Sequence, residues 1–128
     1  MTLLLDTQVL LRAAGLPESL SEDALALLQD PDTNLVYSAA SLWEVAIKRA
    51  VERTDFRADP RLLRRGLIEN GYTELPVRGA HSAAVDLLPE IHGDSFDRIL
   101  VAQAQIEGLT LLTMDRVVGR YPGSIRVV

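Results

Sequence analysis

Cysteine is absent from the 128 residues, which excludes disulfides and thiolate-held metals and suits a reducing compartment. Long apolar runs are missing as well. No stretch approaches the ~18 residues of a membrane span. Asp6 falls where a secretory leader would need its apolar core, so no membrane association and a cytoplasmic location are expected. Lysine is reduced to a single residue, Lys48, in the middle of the chain. There is no internal repeat, low-complexity tract or linker, which leaves one domain over residues 1–128, large enough to bury roughly two-thirds of its unfolded surface. Apolar content of 48% with 24% charged residues is the balance of an ordinary globular chain.

The net charge of −5 argues against a nucleic-acid partner. Its distribution argues the other way. Lys48 to Arg65 holds seven cations and three acids, a local charge of +4 that leaves −9 for the remainder. Concentrated cations attract phosphate even on an acidic protein, although a solvated helix face has the same composition.

Along the chain, apolar runs alternate with helical patterns. Thr2 to Leu5 reads as a strand, followed by a helix from Thr7 to Ala14 that Gly15 and Pro17 end. Ser21 opens a second helix with acids in its first turn. Leu35 to Tyr37 is a short strand, and Ser38 can cap a helix from Ala39 to Arg53 on which Leu42, Val45, Ala46 and Arg49 repeat at helical spacing. Asp59-Pro60 starts a helix with Leu62, Leu63 and Leu67 as its apolar stripe, stopping near Asn70-Gly71. Thr73 to Leu75 forms a third strand and Gly79 to Leu88 a helix that Pro89 ends. In HGDSFDRILVAQAQIEGLTLLTMD, residues 92–115, a helix opens around Asp97 and stops at Gly108, the residue type that suits a left-handed cap. A strand over Leu109 to Leu112 and then Asp115 follow, and Ile125 to Val128 is the last strand. The strands show no polar–apolar alternation, so the fold class is α/β, with a parallel sheet covered on both faces.

Four acids stand out: Asp6 directly after the first strand, Glu44 just inside the helix after the second, Asp97 at a helix start, and Asp115 beyond a late strand. Asp94 is a fifth, one turn ahead of Asp97. In open parallel sheets, ligands bind outside the carboxyl ends of the strands. Each acid also has a plainer use. Asp6 and Asp94 (or Ser95) suit N-caps, Asp115 suits a turn, and Glu44 has the spacing of an i,i+4 ion pair with Lys48 and of a capping box with Ser41. If the four meet, repulsion is large: two like charges about 4 Å apart cost roughly 4 kcal/mol at an effective dielectric near 20. Such a cluster protonates or holds a cation. Oxygen ligands with no cysteine and only His81 and His92 favour Mg²⁺ or Mn²⁺ over Zn²⁺, with activation of water against a phosphodiester as the common use.

LLLDTQVLL, SAASLWEVAIK and the 92–115 stretch resemble, in their order, the PIN-domain ribonucleases, and among them the VapC-type toxins of bacterial toxin–antitoxin pairs. The resemblance spans nearly the whole chain. It implies a three-layer α/β/α fold around a central parallel sheet, and an endoribonuclease whose Asp6, Glu44, Asp97 and Asp115 bind Mg²⁺ or Mn²⁺. It also implies a homodimer and a cognate antitoxin in the active-site groove. Thr7 and Thr113 match positions the family keeps polar; Ser95 stands where many relatives have proline. Thr113 is expected to orient a metal ligand. Arg98 and Arg116 are candidates for substrate phosphate or for ion pairs with neighbouring acids, His81 and His92 for structural roles, and Trp43 for packing. A haloacid-dehalogenase-type phosphatase would need an aspartate where Gln8 stands. A receiver domain would need a lysine at a late strand end, and Lys48 is elsewhere. The rival left open is a protein-binding module, inactive or regulatory, whose acids only cap helices.

Overall fold

The computed structural model describes residues 1–51 and 58–128. Five strands form one sheet: β1 (Thr2–Leu5), β2 (Asn34–Ser38), β3 (Thr73–Leu75), β4 (Thr110–Thr113) and β5 (Ile125–Val127), in the order β3-β2-β1-β4-β5. Every pairing is parallel. The helices are α1 (Thr7–Gly15), α2 (Glu22–Gln29), α3 (Ala39–Val51), α4 (Pro60–Glu69), α5 (Gly79–Ala84) and α6 (Ser95–Glu107).

The unbroken apolar strands are explained by burial on both faces, since successive side chains point to opposite sides of the sheet. Leu4, Val36 and Leu111 face one way, onto Leu100, Val101 and Ala104 of α6. Leu3, Leu5, Tyr37 and Leu112 face the other, onto Val9 and Leu10 of α1, Ala24 of α2 and Leu67 of α4. This is the three-layer α/β/α arrangement that the motif resemblance implies. β1 lies at the centre because it is the most apolar strand, with Leu3, Leu4 and Leu5 all fully buried.

Several boundaries differ from the sequence reading. The expected helix over Gly79 to Leu88 is shorter: α5 ends at Ala84 and gives way to a 3-10 turn over Val85–Leu87. The strand expected at Leu109 to Leu112 is shifted by one, so Thr113 is part of β4 and Leu109 is not. On α3 the buried face is Ala40, Ser41, Glu44 and Val45, whereas Ala46 and Arg49 are exposed. Two polar residues thus occupy inward positions that an apolar stripe would fill. On α4, Leu62 is exposed and Leu67 is buried. The expected end of α3 at Arg53, and the cations Arg53 and Arg57, lie outside the described residues.

The arginines of α4 are partly committed to structure. Arg64 makes a two-pronged contact with Glu74 of β3 (Nε–Oε1 2.7 Å, Nη2–Oε2 3.2 Å), and the buried Tyr37 donates its hydroxyl to the same carboxylate at 2.8 Å. Arg64 holds the Glu74 carboxyl below its ordinary range, and burial pushes the Tyr37 phenol up to about 12.

Gly108 caps α6 in the left-handed conformation, φ 67°, and its N–H donates to Ala104. A Cβ built there would meet nothing within 4 Å, so only backbone strain opposes a side chain. Gly108→Ala should therefore lower unfolding stability by about 1–2 kcal/mol, with the denaturant slope unchanged. A urea midpoint equal to that of the wild type would refute this reading of the cap.

Candidate active site

The strand order reverses direction at β1, whose neighbours β2 and β4 are reached by connections running opposite ways. That switch point opens a crevice beyond the carboxyl ends of the strands. Asp6 sits at the end of β1 beside β4, and its backbone N–H donates to Leu112 at 2.9 Å, continuing the ladder into the site. Its side chain is 4% exposed. Oδ1 accepts from the Val9 N–H at 2.9 Å, capping α1, and Oδ2 accepts the hydroxyl of Thr113 at the end of β4. Thr113 in turn accepts the Asp115 N–H at 3.0 Å, so one threonine links the first and last acids.

A cleft of about 300 Å³ is lined by Asp6, Thr7, Gln8, Glu44, Lys48, Asp94, Asp97, Met114 and Asp115. All five acids singled out from the sequence border it. Asp97 apart, each also performs its plainer task. Asp94 N-caps α6 by accepting the Asp97 N–H at 2.9 Å, Asp115 accepts the Val117 N–H at 2.8 Å, and Glu44 pairs with Lys48 at 2.9 Å. The caps hold the side chains at the cleft rim, so the structural and chemical uses are compatible. Thr7 donates to Ser41 of α3 at 2.9 Å, tying the start of α1 to the helix that carries Glu44.

The electrostatics record the crowding. Burial above all pushes the Asp6 carboxyl up to about 6, with Asp97 and Glu44 adding repulsion; the bonds from Thr113 and Val9 oppose it. Burial likewise raises Asp97, helped by Asp94 and Glu44 and opposed by the hydrogen bond from His92. Among the described residues no three acids or histidines converge into a ready-made cage for a bare ion. The donor set nonetheless fits a hydrated Mg²⁺ or Mn²⁺, because such ions keep several waters and need only one or two direct carboxylates.

Other candidates lie elsewhere. Arg98 does not enter the cleft: its guanidinium donates to the carbonyls of Val85 (3.2 Å) and Pro89 (2.9 Å) and to the Tyr121 hydroxyl (3.0 Å). Among the described residues it forms no ion pair with an acid, because α6 turns it toward the 85–89 segment. Arg116 is exposed beside Asp115. Trp43, expected to pack, is 64% exposed and makes an edge-to-face contact with Phe96, at 5.2 Å between ring centroids. That contact joins the two helices at the residues preceding Glu44 and Asp97. His81 is buried away from the cleft, accepting the Arg78 N–H at 3.0 Å on Nδ1. His92, by contrast, contacts Asp97 (Nε2–Oδ2 3.0 Å) and Tyr121 (Nδ1–Oη 2.7 Å). Sequence reasoning missed this contact because Tyr121 lies 29 residues away. Lys48, visible as an i,i+4 partner, proves to be the one cation lining the cleft among the described residues.

The family profile of the PIN domain matches residues 3–123. The chain belongs to the PIN domain family. PIN domains are nucleases, which accords with an acidic cleft at the switch point. Solved structures sharing this PIN fold include VapBC2 from Rickettsia felis bound to a DNA fragment from their promoter, at 13% identity, TM-score 0.73, over 100% of this chain and 99% of that one. A toxin–antitoxin complex from Klebsiella pneumoniae matches at 17% identity, TM-score 0.66, over 97% and 95% of the two chains. FitAcB from Neisseria gonorrhoeae matches at 18% identity, TM-score 0.60, over 96% and 95%. At these identities the likeness establishes the fold. No curated protein sequence matches the chain.

The raised Asp6 carboxyl carries a stability consequence. Its folded-state value, about 6, lies above the ordinary 3.8, so the folded PIN domain holds that proton more tightly than the unfolded chain. In chelator-treated protein, stability should therefore fall as pH rises from about 4 to about 6, by on the order of 3 kcal/mol, and stay low above. Asp6→Asn keeps a cap of similar strength and removes the charge. It should match wild type near pH 4 and unfold at higher urea near pH 8. Parallel stability profiles for the two proteins across this range would refute the burial penalty.

Proposed function

We propose that this PIN domain, acting as one unit over residues 1–128, is a metal-dependent endoribonuclease, the toxin of a type II toxin–antitoxin pair. The observation that carries the reading is the cleft at the β1–β4 seam. There acids from four separate elements are gathered and one, Asp6, is buried at a cost only a proton or a cation relieves. An RNA phosphate entering five carboxylates and one ammonium meets repulsion unless a cation intervenes. Asp6, Glu44, Asp97 and Asp115 are the residues that would hold Mg²⁺ or Mn²⁺. When bound, such an ion supplies activation of the attacking water and neutralisation of charge on the phosphodiester. The chain's own groups position: Thr113 orients Asp6, the Asp94 cap fixes the start of α6, and Lys48 holds Glu44. With water as nucleophile, no serine or cysteine chemistry is needed. Toxin–antitoxin complexes among the proteins of like fold support an antitoxin partner; a homodimer is proposed from the motif resemblance alone.

A second reading has an observation of its own. Asp6, Asp94 and Asp115 all make capping or turn hydrogen bonds, so a regulatory module without catalysis would use the same side chains.

The two readings separate on mutation. Millimolar Mn²⁺ should raise the melting temperature of the wild type, since it binds the folded state preferentially. Asp6→Asn, Glu44→Gln, Asp97→Asn and Asp115→Asn should each remove nearly all RNA cleavage in proteins that still melt cooperatively. Asp94→Asn should retain substantial activity, because asparagine caps about as well as aspartate. A melting curve indifferent to Mn²⁺, with no cleavage of RNA, would leave the regulatory reading standing.

For substrate binding, the exposed Arg61 and Arg65 of α4 are the better test, Arg64 being tied to Glu74. Reversing both to Glu should weaken RNA binding and reduce the salt slope by roughly two, one per lost phosphate contact. An unaltered slope would place the RNA track on another face.

A further inference from the structure

Beyond the acids themselves, a hydrogen-bonded line runs through the structure and ends on one of them. Arg98 can only donate. Its Nη1 reaches the Tyr121 hydroxyl at 3.0 Å, so that oxygen acts as acceptor and keeps one hydrogen to give. The nearer taker is His92 Nδ1 at 2.7 Å; the His92 carbonyl is at 3.4 Å. An accepting Nδ1 puts the hydrogen of a neutral imidazole on Nε2. Nε2 lies 3.0 Å from Asp97 Oδ2 and donates to it. Every link therefore points the same way, from guanidinium to carboxylate, and aligned donors polarise and strengthen one another.

The supports at each end are firm. Tyr121 is 4% exposed. Arg98 is anchored by the Val85 and Pro89 carbonyls as well as by Tyr121. The Asp97 backbone is held separately, by the Asp94 cap at 2.9 Å. The six residues HGDSFD thus fix both the main chain and the side chain of Asp97.

Resting on the metal-site reading above, we propose that His92 is a positioning residue. As the last donor of the Arg98–Tyr121–His92 relay, it pins Oδ2 of Asp97, fixing the carboxylate's orientation and leaving Oδ1 for a hydrated divalent cation. Hydrogen-bonded supports of this kind are commonly worth 10–100-fold in metal affinity. A purely structural role, packing the 88–94 segment onto α6, would change stability and leave cation affinity untouched.

The test uses the full chain and Mn²⁺ alone, titrated calorimetrically, together with ¹⁵N NMR of the imidazoles in chelator-treated protein. In the wild type, His92 should show the Nε2–H tautomer, and Tyr121→Phe should shift it toward a mixture. His92→Leu should weaken Mn²⁺ binding roughly 10- to 100-fold. His92→Gln, whose amide can donate from a similar place, should recover most of that loss, and Tyr121→Phe should weaken binding by less than His92→Leu. Asp97→Asn separates the two levels of the argument. If wild type and Asp97→Asn bind Mn²⁺ alike, the metal site itself is wrong and the positioning role falls with it. If Asp97→Asn loses binding while His92→Leu binds as wild type does, the metal site stands and the role of His92 is refuted. An Nδ1–H tautomer would overturn the direction of the relay. Should His92→Leu fold poorly, the tautomer, the glutamine rescue and Tyr121→Phe still decide.

Discussion

Asp6 is a carboxylate placed where the protein is least able to solvate it. It stands at the mouth of the central strand, beneath a seam whose other wall is β4, with other acids close enough to raise its proton affinity further. Everything near it is arranged around that penalty. The Thr113 hydroxyl and the Val9 N–H give the carboxylate two donors, without which burial would drive it to hold a proton more tightly still. The same donors fix its orientation. A stable parallel core and an unstable charge are therefore built from the same strand end, a pattern expected where binding rather than stability has shaped a position.

The remaining acids are held by local hydrogen bonds rather than by one another. Asp94 and Asp115, like Asp6, accept backbone N–H groups near helix starts or turns, where a carboxylate is favoured by the exposed dipoles. This explains why capping and chemistry are not competing accounts of these residues. A cap occupies one lone pair and orders the side chain, and further acceptor sites of the carboxylate remain for a ligand. Glu44 and Asp97 are held by side chains instead, Asp97 by His92 and Glu44 by Lys48, which places a positive charge in a cleft otherwise lined by acids and uncharged residues.

The arginines are distributed by the same economy. Their planar forks hold carboxylates and carbonyls at two or three points, which suits them to fastening elements together. Arg64 fastens α4 to β3 through Glu74, Arg49 reaches Asp59 at 2.9 Å, and Arg98 fastens α6 to the 85–89 segment. The basic run from Lys48 to Arg65 is consequently less free to meet phosphate than its local charge suggests, and the exposed Arg65, with no ion pair among the described residues, carries more of that prospect than Arg64.

Runs such as Leu3-Leu4-Leu5 and Leu111-Leu112 admit only a strand buried on both faces, so the parallel sheet and its two helical layers follow from the sequence alone. An aspartate directly after β1 and another just past β4 then fall at the carboxyl edge whatever the loops do. Gly108 is legible for the same reason, since the left-handed cap is a local property of one residue. What the linear chain does not carry is the direction of side chains relative to distant partners. The inward turn of Ser41 and Glu44, the exposure of Trp43 and the withdrawal of Arg98 from the cleft depend on how α3 and α6 rotate against the sheet. His92 reads as one unremarkable histidine until the 3-10 turn before β5 brings Tyr121 beside it from 29 residues away. Periodicity and capping act over a few residues and are written locally; hydrogen-bonded relays join residues whose separation along the chain bears no relation to their separation in space.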